Sequence, residues 1–179
     1  MDATEYKAAY LKSGITLVEN WCRKIGIAHD THKSISSGRL PVSTDVEARI
    51  SQHLTKAKAS ADELGEIIKS RLVEFDPSTT FEVAPDTLNI TFTMSEGAQL
   101  IATNHGIDTL NGWGVYEMGF GPRRSNALFL HSRTEPWHKK DSPGDFTWYL
   151  WRGPFVSQQQ NHSNFITTQL LRECLGIAR

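Results

Sequence analysis

Val46, Ile50, Leu54, Ala57, Ala61, Leu64, Ile68 and Leu72 advance by threes and fours, the spacing that lines one face of an α-helix. Thr44 and Glu47 form a cap pattern at its start, and Lys56, Lys58, Glu63 and Lys69 occupy the opposite face. Asp76-Pro77-Ser78 closes it, because proline disfavours helical geometry in the residue before it. Beside a sheet, such a stripe reads as core packing rather than as a membrane or partner surface. Upstream, Tyr6, Tyr10, Leu17, Trp21 and Ile25 recur at near-helical spacing behind Asp2 and Glu5, a capping-box-like pair. A first helix is predicted there, stopped by Gly26. From Ala28 to Pro41 no period holds, and Asp30, Ser34, Ser36, Ser37, Gly38 and Pro41 predict a connecting loop.

Past Asp76 the period changes to two. Leu88, Ile90, Phe92 and Met94 alternate with Asn89, Thr91 and Thr93, as a half-buried strand requires. Further strands are predicted at Thr80 to Val83, Gln99 to Thr103, Trp113 to Phe120, Ala127 to His131 and Phe146 to Arg152, with links short enough for antiparallel pairing. A last helix is predicted from about Asn164 to Leu175, with Phe165, Ile166, Leu170, Cys174 and Ile177 facing the sheet. The expected fold is α+β: two N-terminal helices, an antiparallel sheet of about five or six strands, and a C-terminal helix packed on the sheet. One domain is expected over 1–179, with a helical part at 1–75, the sheet at 79–152 and the closing helix at 160–177.

Composition narrows the functional classes. With 39% hydrophobic and 22% charged residues the chain is globular in character, and a net charge of -1 gives no global attraction to nucleic acid or acidic membranes. Cys22 and Cys174 lie in helix-like segments and read as core thiols of a reducing compartment. Neither a leader-like start nor an apolar run of membrane-spanning length is present. A soluble, cytoplasmic protein without membrane contact is expected.

Gly121 to Asp145 is the most function-like stretch. Arg123, Arg124, Arg133, Lys139 and Lys140 outnumber Glu135, Asp141 and Asp145, with His131 and His138 interleaved. Guanidinium groups match carboxylate or phosphate, and imidazole exchanges protons near neutral pH. His131 falls at the end of a predicted strand, a common home for catalytic groups. Trp137, Trp148, Tyr149 and Trp151 add flat surfaces for stacking on a base, a sugar or an aromatic ligand, although Trp148 and Tyr149 must lie on opposite faces of any strand. His29-Asp30-Thr31-His32 lacks a third local ligand, so no metal is expected. The glycines of Asn111 to Gly114 and Gly119 to Pro122 match neither nucleotide-binding fingerprint, and no GxSxG elbow occurs. No cofactor is expected.

The run Tyr116-Glu117-Met118-Gly119-Phe120-Gly121-Pro122 resembles the Tyr-Glu-x-Asp-Phe-Gly-x-Gly-x-Pro stretch near the C-terminal end of acyl-CoA-dependent acyltransferases of the BAHD class, in the chloramphenicol-acetyltransferase-like superfamily. Gly119 stands where that family has aspartate, the Trp-Gly pair is missing, and no histidine of this chain is followed four positions on by aspartate, as the family's catalytic HxxxD requires. The resemblance therefore implies a sheet-and-helix lobe rather than an active transferase.

The expected function is binding of an anionic small molecule at the sheet edge. Arg123, Arg124 and Arg133 would hold the anionic group, Trp137 and Trp148 would flank it, and His131 or His138 would act as general acid or base if the protein is an enzyme. The alternative is a non-catalytic domain that docks an acidic protein or single-stranded nucleic acid through its basic, tryptophan-bearing loop. Self-association through the aromatic surface would make a homo-oligomer.

Overall fold

The computed structural model describes residues 1–74, 76–108, 113–120, 128–133, 147–152 and 164–165. Beyond Gly106 it defines backbone and strand register, and Tyr116 is the one side chain described there.

Helix α1 (Ala3–Lys12) carries the capping box expected from Asp2 and Glu5. Asp2 Oδ1 accepts the Thr4 and Glu5 backbone N–H groups at 2.7 and 2.8 Å, and Glu5 Oε2 accepts the Asp2 N–H at 2.7 Å. The helix does not continue to Ile25 as the apolar spacing predicts. Ser13 Oγ donates to Tyr10 O at 2.6 Å and accepts from Ile15 N at 3.2 Å, and Gly14 turns with a left-handed φ of +71°. The chain restarts as α2 (Val18–Ile25), which Gly26 ends at φ +68°.

The predicted loop from Ala28 to Pro41 contains a helix, α3 (His29–Ser36). Its own sequence is a weak helix former, and burial of His32 and Ile35, one turn apart, holds it against the other helices. Helix α4 (Thr44–Leu72) is the predicted amphipathic element, shifted at its cap: Ser43 rather than Thr44 is the N-cap, its Oγ accepting the Val46 N–H at 3.3 Å. Four helices thus precede the sheet where two are predicted.

At about 1.5 Å per residue, α4 is about 43 Å long, and its two halves serve different cores. The first half places Val46 and Ile50 with Tyr6, Ala9, Ile15, Trp21, Ile25 and Ile35. The second places Ala61, Leu64, Ile68 and Leu72 against Ile90, Phe92, Leu100, Ala102 and Tyr116. Each aliphatic side chain fully withdrawn from water here is worth about 1.5–3 kcal/mol.

The sheet is antiparallel and a meander, its strands lying in chain order: β1 (Thr80–Val83), β2 (Ile90–Thr93), β3 (Gln99–Asp108), β4 (Trp113–Phe120), β5 (Leu128–Arg133), β6 (Thr147–Arg152) and β7 (Asn164–Phe165). Among the described residues that is seven strands against the five or six predicted. Asn164 and Phe165, where the closing helix is predicted to begin, pair instead with Leu150 and Tyr149; the edge of β6 offers backbone partners that an extended segment can take. The rest of that predicted helix lies outside the described residues. Alternation along β2 is as predicted, with Ile90 and Phe92 buried and Thr91 and Thr93 partly exposed. Leu88, predicted at the strand's start, lies in the preceding turn at φ +58° and is buried against Ala57 of α4.

Asn104 joins the helical part to the sheet. A register shift between Asn104 and Ile107 interrupts the β3–β4 ladder. There Asn104 Nδ2 donates to Lys12 O at 3.3 Å and Thr87 O at 3.0 Å, while its Oδ1 accepts from Gly106 N at 2.9 Å. Its own backbone N–H donates to Asn89 Oδ1 at 2.9 Å. Gly14 lies so close that a Cβ there would meet Gly106 N at 2.7 Å and Asn104 Nδ2 at 2.8 Å. Among the described residues no helix is long and apolar enough to cross a membrane.

Candidate functional site

Of the residues singled out for anion binding and proton transfer, His131 and Arg133 lie in β5 and Trp148 in β6. Arg123, Arg124, Trp137 and His138 lie outside the described residues. His131 is directly opposite Val115 on β4 and Tyr149 on β6; Arg133 is opposite Trp113 and Thr147. Positions two apart on a strand, and positions directly opposite across strands, share one face of the pleat. His131 and Arg133 therefore occupy the same face. Trp148 is opposite Ser132, in the alternate set, and belongs to the other face together with Leu130 and the buried Tyr116. That second face is the one on which α4 packs.

Connectivity divides the basic stretch. The connection that contains Arg123 and Arg124 joins Phe120 to Leu128, whereas the one that contains Trp137 and His138 joins Arg133 to Thr147. In a meander these are anchored at opposite ends of β5, about 17 Å apart at about 3.3 Å per residue. The strand brings His131 and Arg133 together with the Arg133 end, not with the Leu128 end. Tyr116 to Phe120, the strand portion of the acyltransferase-like run, lies in β4.

The best-defined polar chemistry is elsewhere, in the helical part, and the sequence reading does not anticipate it. Trp21 Nε1 donates to the Tyr6 hydroxyl at 2.9 Å, and that hydroxyl bonds His32 Nδ1 at 2.8 Å. Tyr6 is fully buried, so its proton needs an acceptor, and His32 Nδ1 is the one in reach. This fixes the neutral tautomer of His32 with hydrogen on Nε2, the nitrogen that faces Ser36 Oγ at 3.4 Å. An imidazole in that tautomer cannot take a proton from Ser36 through Nε2, so the seam is not a serine–histidine nucleophile pair. Burial, with His29 stacked at 6.4 Å, holds the His32 pKa below its usual value. Burial likewise pushes the Tyr6 hydroxyl up to about 12, against the opposing Trp21 bond.

His53 of α4 is buried beside Trp21, with ring centroids 6.1 Å apart, and its Nε2 has no hydrogen-bond partner. Its pKa falls to about 4, mainly through burial and also through the nearby Lys24 and Lys56. Burial first, then Glu19, raises the Cys22 thiol above its ordinary value, which suits a packed residue rather than a nucleophile. Among the described residues no three His, Cys, Asp or Glu side chains gather as a metal cluster. The only trace of the helical seam in the sequence is the aromatic content of the first helical stripe; partners 26 residues apart leave no local pattern.

No family model, curated protein or solved structure matches the chain.

Proposed function

We propose that the chain binds an anionic small molecule on the sheet face opposite α4, with Arg133 as the anion-holding group and His131 as the group that exchanges a proton with the ligand. The observation that carries this reading is the register of β5. His131 and Arg133 are two residues apart on one strand, and their cross-strand neighbours Val115, Tyr149, Trp113 and Thr147 are uncharged. A guanidinium matches a carboxylate or phosphate through two parallel donors, and no acid competes with such a ligand from the positions directly paired with Arg133. Arg123, Arg124 and His138 belong to the same proposal as contributors from the connections flanking β5.

The test is a titration of the isotopically labelled chain with sodium phosphate and sodium acetate, followed by amide chemical shifts. Shifts centred on His131 to Arg133, abolished by Arg133→Met, are expected. Shifts that map elsewhere, or that persist unchanged in both Arg133→Met and His131→Gln, would remove this site from consideration.

A further inference from the structure

Building on the anion-binding reading above, we propose that the ligand class is a planar aromatic or conjugated monocarboxylate. On the face that holds His131 and Arg133, each cross-strand row pairs a potential polar anchor or ring with another ring: Arg133 with Trp113, His131 with Tyr149, and Phe129 with Trp151. Paired positions are about 5 Å apart and successive rows about 6.5–7 Å apart. Two adjacent rows therefore span the size of a one- or two-ring system with a charged substituent.

Charge decides between kinds of anion. Glu117 shares a row with Phe129, and Asp108 shares a row with Trp113 and Arg133. With His131, on β3 to β6 these four groups comprise one permanent cation, one titratable imidazole and two carboxylates. Along these paired positions a polyphosphate or nucleic acid strand would meet both acids, with Arg133 the one permanent cation among them. A single carboxylate needs one guanidinium, which it can engage by a bidentate pair. Asp108 is two strands from Arg133, about 10 Å, and Glu117 is two rows away, so neither acid has to be displaced. Aromatic neighbours add offset or edge-on ring contacts, a gain that a small aliphatic anion cannot collect.

The test is calorimetric titration of the full chain with four probes: 2-naphthoate, acetate, 2-naphthamide and a twelve-nucleotide oligothymidylate. 2-Naphthoate should bind at least about tenfold more tightly than acetate and than the uncharged amide. Arg133→Met should erase the difference between naphthoate and naphthamide, Tyr149→Leu, in the row next to Arg133, should weaken both, and Trp148→Phe, on the other face, should leave binding unchanged. Equal binding of acetate and naphthoate, both lost in Arg133→Met, would overturn the aromatic class and leave the anion site standing. Tighter binding of the oligonucleotide would overturn it in favour of nucleic acid docking. Absence of binding by all four probes would overturn both readings, and because that arm uses the unaltered chain it is independent of whether any variant folds.

Discussion

Tyr6 and His32, 26 positions apart in the chain, are joined at 2.8 Å between a buried hydroxyl and a ring nitrogen, and the same hydroxyl takes the Trp21 indole N–H at 2.9 Å. One oxygen thus satisfies a donor from α2 and an acceptor from α3 while its own ring is carried by α1. The three short helices have little intrinsic stability, and this seam fixes their relative orientation where apolar contacts alone would be permissive.

Tyr6→Phe keeps the ring and leaves the Trp21 donor and the His32 acceptor without their common partner. The expected loss is about 1–3 kcal/mol, read as a lower urea midpoint with an unchanged slope. Tyr10→Phe is the internal comparison, since the Tyr10 hydroxyl donates to Thr16 O at 3.0 Å at an exposed site, where water replaces the lost bond. It should cost under about 1 kcal/mol. Equal losses in the two variants would show that the seam adds nothing to stability.

His53 gives the fold an acid-sensitive point. Its folded pKa of about 4 lies below the unfolded value of 6.5, so between these limits the unfolded chain binds the extra proton and stability declines as pH falls. Above pH 6.5 both states are neutral and the group has no effect; below about 4 the loss is complete. The shift corresponds to about 3 kcal/mol. His53→Leu removes both the titration and the unpartnered Nε2, so urea unfolding at pH 7.5, 5.5 and 4.5 should decline less steeply than in the unaltered chain. The remaining slope would include His32, whose pKa is also lowered. Parallel profiles would clear His53 of this role.

Asn104→Ala deprives Lys12 O, Thr87 O and Gly106 N of their partner, at a cost of at least about 2 kcal/mol. Asn104→Asp has nearly the same shape but turns a donor to two carbonyls into an oxygen that repels them. It should lose at least as much as alanine, a result that volume alone would not produce. An aspartate variant as stable as the original chain would mean that the bulge is held by its backbone alone.

Legibility from sequence followed the range of the forces involved. The stripe of α4 and the alternation of β2 are local periodicities, and Ile50, Leu64, Ile90 and Phe92 are buried as their positions imply. Gly14 was the obscure point in the first helix: Tyr6, Tyr10, Leu17 and Trp21 keep a helical rhythm across it, yet the break is required by a contact with Gly106, 92 positions on. Helix α3 owes its existence to burial of His32 and Ile35 rather than to propensity, so no local signal marks it. The candidate site was legible only as a list of residue types. Sequence alternation separates Trp148 from Tyr149, but only the β5–β6 register shows that Tyr149, and not Trp148, shares a face with His131.

Gly65 of α4 meets the ring of Phe81 on β1 so closely that a Cβ would collide with it, while the Lys69 ammonium lies 5.9 Å over the same ring. Two opposing terms then decide Gly65→Ala. Alanine gains about 1 kcal/mol in helix propensity, whereas overpacking typically costs about 1–3 kcal/mol. The ring is confined between α4 and Phe92, at 5.9 Å between centroids, so it cannot move aside cheaply and the collision should win. A lowered urea midpoint is expected for Gly65→Ala. Phe81→Leu, destabilising by itself through lost apolar area, opens the space that the methyl needs, so the double variant should be more stable than the sum of the single losses predicts. Additive losses would place the cost of Gly65→Ala in the helix itself and deny the contact any part in how α4 is set on the sheet.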